Sequence, residues 1–200
     1  MKRQHYEIYN HRRVWRAACC NIDMLDRDYE GDFMEKPYFA LAGMVLVFFA
    51  FEGYLNWLGE LLFPDIWRNE RAFFSAKNKP YVGTIGKLRY LGERLELSSF
   101  DVNSRPWKTV VELQDYRHGV AHPKSERDDR MVDDYSLPDG PAQYVGRLEA
   151  KATFENAKSC RDDVEEVVNL FHAQCLKLYP EKTPTAKPFS GLLAFSSTER

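Results

Sequence analysis

Residues 104–124 read SRPWKTVVELQDYRHGVAHPK. Trp107, Val110, Val111, Leu113 and Val120 space an apolar stripe along this stretch and predict a helix. Ser104 offers an N-cap hydroxyl, and Pro106 falls in the first turn, where its missing N–H costs nothing. Pro123 ends the helix, because the residue before a proline is pushed out of the α region. His122 is therefore expected at or beyond the helix C-terminus, where the dipole favours a cationic imidazolium.

The end of that stretch, Arg117-His118-Gly119-Val120-Ala121-His122, carries the chemistry. An arginine presents a planar fork of donors that fits a phosphate. A histidine gives or takes a proton near neutrality. Together they make a minimal kit for breaking an RNA phosphodiester. The bland alternative is an arginine in a surface ion pair and a histidine capping a helix. Residues five apart lie roughly 140° apart around a helix axis, so one regular helix does not aim both at one phosphate. Either the chain turn at Pro123 swings His122 back, or a two-fold dimer juxtaposes the motifs of two protomers.

Upstream, Tyr38–Phe51 is a run without a charge, YFALAGMVLVFFAF. A membrane span needs about 20 apolar residues, and extending this run brings in Glu52, Asn56 and Glu60. It is expected to be the central helix of a bundle or a helix buried at a subunit interface, running from about Pro37 to Leu62, and no membrane partner is expected. Tyr6–Tyr29 shows helical spacing, interrupted by Glu30-Gly31-Asp32. Asp65–Asn78 predicts a short helix, and Pro80 opens a further one through Leu95. Ser159 reads as the N-cap of the last helix, with Asp162 as the capping-box acid, and the helix runs to Tyr179. The alternation over Gln143–Phe154 predicts a small β-hairpin before it. The fold class is thus all-α, an up-and-down bundle of four to five main helices. Residues 1–179 form one domain, and 180–200 read as a Pro/Thr-rich C-terminal tail.

A formal charge of −2 provides no global basic field for nucleic acid. Lys2, Arg3, Arg12, Arg13 and Arg16 supply either a local patch for RNA or one solvated helix face. The four cysteines, Cys19, Cys20, Cys160 and Cys175, have no zinc-site spacing and read as small hydrophobes. Without a recognisable signal peptide, the expected location is the cytoplasm.

Arg117, the polar His118 and the closing His122, late in the third major helix of an all-α bundle, resemble the R-x4-H motif of the HEPN family (higher eukaryotes and prokaryotes nucleotide-binding). The upstream FEGYLNWLGELLF is similar to that family's second helix, and the resemblance covers roughly Phe39–Lys124, with the last helix in outline. The long polar segment after the motif and the Pro-rich tail depart from the family. The resemblance implies a metal-independent endoribonuclease without a cofactor, acting as a homodimer with a composite site. The RNA's 2′-hydroxyl attacks phosphorus, leaving 2′,3′-cyclic phosphate and 5′-hydroxyl ends. In that scheme His122 does the acid–base work, Arg117 binds the scissile phosphate, and His118 holds the phosphate or orients His122. Glu52 would steady Arg117 or His118, unless it is a solvated carboxylate, and Asn56 one turn on would join it or be structural. Tyr116 would stack on a base or lie in the core. The family also implies toxin–antitoxin or antiviral defence with an antitoxin protein as partner, and includes non-catalytic modules that bind nucleotide, RNA or protein. His118 and His122 are also i,i+4, the spacing of a zinc-binding pair, but H-G-V-A-H lacks the glutamate of H-E-x-x-H, and only His172 offers a third ligand.

Overall fold

The computed structural model describes residues 4–26, 36–97, 100–125, 146–191 and 193–198. In chain order its elements are β1 (Gln4–Ile8), α1 (Asn10–Asp23), α2 (Lys36–Leu62), α3 (Pro64–Trp67), α4 (Glu70–Phe73), α5 (Gly83–Arg94), α6 (Trp107–Ala121), α7 (Arg147–Lys151), α8 (Phe154–Leu178) and β2 (Ala194–Thr198). The architecture is all-α in its body, with the two short strands paired antiparallel from Gln4↔Thr198 to Ile8↔Ala194.

A helix that is apolar almost all round has to be surrounded, and α2 is packed by α1, α3, α5, α6, α7 and α8. Ala40, Met44, Val47, Phe51, Leu55, Leu58 and Leu62 are buried along it, and each large side chain removed from water contributes about 1.5–3 kcal/mol. Close approach is built in at Gly59, where a Cβ would fall 1.9 Å from the Trp67 ring. By length and composition α2 could cross a bilayer, yet half of its most apolar 18-residue window is buried inside this bundle.

Helices α6 and α8 close the other side. Trp107 meets Phe171 edge-on at 5.8 Å, and Val110, Leu113, Val164, Val167 and Val168 fill the space between them. Arg105 grips the buried Asp163 with Nε and Nη2, both at 2.8 Å, and the Thr109 hydroxyl donates to the same carboxylate. That charge-assisted clamp fixes the start of α6 on α8.

Several boundaries differ from expectation. Residues 4–8 form a strand, and the first helix is shorter than Tyr6–Tyr29, while Glu30-Gly31-Asp32 lie outside the described residues. The Asp65–Asn78 region holds two short helices in place of one. Ser104 does not cap α6, which starts after Pro106 without a side-chain cap; its hydroxyl donates to the Asp101 carbonyl instead. α8 begins five residues before Ser159, and its cap is Thr153, whose hydroxyl oxygen accepts from the Asn156 N–H at 3.2 Å. The expected hairpin is helical in its described part, while Tyr144 and Val145 lie outside the described residues. Leu148 packs on the core and Ala152 is buried, but Ala150 between them is exposed, which is i,i+4 burial and not alternation.

The stretch expected as a tail returns to the body. Phe189 is buried and stacks on Trp15 with ring centroids 4.1 Å apart, and β2 completes the ribbon. Arg12 is buried, with its Nε donating to the Pro188 carbonyl at 2.8 Å, and Arg16 donates to the Gly191 carbonyl. Those two members of the basic cluster are therefore fasteners for the C-terminal segment; Lys2 and Arg3 lie outside the described residues. Cys160 and Cys175 are buried, with burial pushing both thiols up to about 12, whereas Cys20 is exposed and not a core hydrophobe.

Candidate active site

One face of α6 is spent on the core, and the neighbouring face is free to do chemistry. Leu113 and Tyr116 are buried, while Gln114 and Arg117 are half-buried and Asp115 and His118 exposed. Gln114, Arg117 and His118 follow at three- and four-residue spacing, so they share a helix face. That face forms one wall of a cavity of about 280 Å³ lined by Phe48, Glu52, Gly83, Thr84, Gln114, Asp115, Arg117 and His118. α2 supplies Phe48 and Glu52. The start of α5 supplies Gly83 and Thr84, where Gly83, at φ +62, makes the turn a side chain would resist.

Arg117 and His118 thus line one cavity with Glu52, the acidic residue chosen from the sequence. The partner of its carboxylate is not the one expected. Glu52 Oε1 accepts from the Thr84 hydroxyl at 2.6 Å, and among the described residues no ion pair joins it to Arg117. The guanidinium of Arg117 lies over the Phe49 ring, 5.5 Å from its centroid. Its Nε is buried without a hydrogen-bond partner. An unmet buried donor costs about 1–3 kcal/mol, more for a charged group. A site that binds an anion has a reason to carry it.

His122 is the exposed C-cap of α6, and its N–H donates to the His118 carbonyl at 3.0 Å. Its ring stands 4.9 Å from that of His118, tilted by 53°. The end of the helix before Pro123 thus brings His122 to His118, and His118 to the cavity; His122 is not among the residues lining it. Gly119, between them, leaves room for α7, since a Cβ there would lie 3.1 Å from Leu148.

Two sequence candidates belong elsewhere. Tyr116 is buried, its hydroxyl donates to the Leu148 carbonyl at 3.1 Å, and burial pushes its phenol up to about 12. It is a core tyrosine that seats α7, not a platform for a base. Asn56 accepts from the buried Lys87 Nζ at 2.7 Å, and Lys87 also binds Glu70. The turn of α2 beyond Glu52 therefore builds a second polar link to α5, apart from the motif. Thr84, Gly83 and Phe49 were missed. Thr84 bonds across 32 positions of sequence, and no local pattern announces such a partner.

Among the described residues no three of His, Cys, Asp and Glu gather as metal ligands. His172, considered as a third ligand for a zinc pair, is instead buried on α8, facing the backbone of Pro184 and Ala186. Compared with known proteins, the chain matches no family model, no curated protein and no solved structure.

Proposed function

We propose that the chain is a metal-independent endoribonuclease of the HEPN type, working as a homodimer. The observation that carries this reading is that Arg117, its Nε buried and unpartnered, lines one cavity with His118 and Glu52, with the His122 ring beside His118. A phosphate of RNA occupies the guanidinium fork. The 2′-hydroxyl then attacks phosphorus and loses its proton. The bond to the 5′-oxygen breaks, and that oxygen takes up a proton, leaving a 2′,3′-cyclic phosphate and a 5′-hydroxyl. His122 does the proton work, His118 bridges it to the phosphate, and Arg117 offsets charge on the equatorial oxygens.

Support for the dimer comes from α2. Tyr38, Leu41, Val45 and Phe49 follow one another along it at three- and four-residue spacing toward Glu52, and Tyr38 and Phe49 are 66% and 39% exposed. A second copy docked on this stripe covers apolar surface and brings a second motif to the cavity. A role in toxin–antitoxin or antiviral defence, silenced by an antitoxin protein in the cytoplasm, belongs to the same reading.

The test is incubation of purified protein with a mixed RNA pool under chelation, with end-group analysis. Arg117→Ala and His122→Ala each lower cleavage at least about 100-fold while circular dichroism and dimer mass stay unchanged. A second reading, a HEPN-like module that grips nucleotide, RNA or a protein without cutting, is favoured by the position of His122 outside the cavity lining of one protomer. Tight RNA binding with cleavage no greater than that of His122→Ala would establish it.

A further inference from the structure

Building on the phosphate-binding reading of Arg117, we propose that Thr84 is a positioning residue that holds the Glu52 carboxylate off Arg117 and so keeps the guanidinium open for a phosphodiester. Glu52 and Arg117 line the same cavity of about 280 Å³. A carboxylate and a guanidinium that line one such space have a strong preferred state, the bidentate ion pair, in which the carboxylate presents to the arginine the same two-oxygen edge a phosphate does. That pair is not formed. The carboxylate is engaged by the Thr84 hydroxyl at 2.6 Å, and Arg117 rests over Phe49 with its Nε unpartnered. Thr84 is itself buried, at 8% exposure, in the first turn of α5 just after Gly83. Its hydroxyl is therefore held in place more firmly than a surface threonine's would be.

Removing the hydroxyl frees the carboxylate to swing onto Arg117, where it competes with the ligand for the fork. The effect falls on binding, and it depends on the charge of Glu52. A purely structural Thr84 would weaken binding whatever residue stood at 52, which makes the two roles separable by a double-mutant cycle.

The probe is a short fluorescein-labelled oligodeoxythymidylate, which has phosphodiesters but no 2′-hydroxyl to cleave. Its affinity for the full chain is measured by anisotropy for the unmodified protein, Arg117→Ala, Thr84→Val, Thr84→Ala, Thr84→Ser, Glu52→Gln and Thr84→Val/Glu52→Gln. Thr84→Val and Thr84→Ala weaken binding about tenfold, the scale of one charge-assisted hydrogen bond. Thr84→Ser keeps the affinity. The double variant returns to within about twofold of Glu52→Gln alone, because a neutral amide does not compete for the guanidinium. The inference is overturned if folded Thr84→Val or Thr84→Ala binds like the unmodified chain, or if Glu52→Gln fails to rescue the loss. If the unmodified chain binds no better than Arg117→Ala, the phosphate-binding reading fails as well. With RNA as substrate, the same Thr84 variants raise KM more than they lower kcat.

Discussion

The molecule uses a neighbouring arginine and histidine twice, and the two places do opposite things. At the start of α1, His11 and Arg12 are covered by the chain segment 183–191. Both are 4% exposed; Arg12 donates to Pro188 and lies 4.3 Å from the Tyr9 ring centroid, while Trp15 and Phe189 stack nearby. At the end of α6, Arg117 and His118 line a cavity, and Arg117 keeps an unmet Nε and, among the described residues, no carboxylate partner, its charge lying over the Phe49 ring. The residue types are the same. Coverage separates the two: at the first place the fold gives the guanidinium a carbonyl of its own, and at the second the guanidinium keeps a buried, unmet Nε, the feature on which the proposed phosphate site rests.

The sharpest way to break this contrast is to uncover the first place. Phe189→Ala empties a stacked, buried ring and lowers stability by about 3–5 kcal/mol, read as a fall in the urea midpoint. Cleavage per folded molecule stays unchanged, since the rings that Phe189 meets, those of His11, Trp15 and Tyr54, do not line the α6 cavity. Loss of cleavage in the folded variant would show that the two regions are coupled.

A second test uses pH. Burial, with the Arg12 charge adding to it, holds the His11 imidazole down at about 4, and burial lowers His172 as well. The unfolded chain takes up its proton near 6.5, so above that pH the two states bind protons alike. As pH falls from about 6.5 towards 4, only the unfolded chain gains the proton, and stability drops; for His11 the loss approaches about 3 kcal/mol. Urea melts at about pH 7.5 and about pH 4.5 measure it, and His11→Phe flattens the profile. An unchanged slope in that variant would remove His11 from the account.

The smallest effect concerns the border of the site. Tyr116→Phe removes the hydrogen bond to the Leu148 carbonyl and lowers stability by about 1 kcal/mol. A tyrosine kept free for stacking on a base would show no such loss.

These contrasts also mark how far the sequence reaches. The central helix was readable because fourteen uncharged residues between two prolines leave few other solutions, and α2 spans Lys36–Leu62 as expected. The stop at Pro123, and with it the C-cap position of His122, was equally local. Glu52 was singled out by resemblance alone; it lines one cavity with Arg117 and His118, while its carboxylate is bonded to Thr84. The hairpin, the caps and the tail went astray for one reason. Alternation, a serine or a Pro-rich run each fits two local structures, and only the surface on which it lands decides between them.

Composition and periodicity by themselves determined a helical body, its buried centre and the helix end that carries the motif, because those follow from contacts a few residues apart. Tertiary structure alone decided that Thr84 takes the Glu52 carboxylate, that Arg117 lies over Phe49 without an ion pair among the described residues, and that Arg12 bonds Pro188. Each of those outcomes is a competition among partners 32 to 176 positions away in the chain. A hydrogen bond over such separations exists only once packing has fixed both ends.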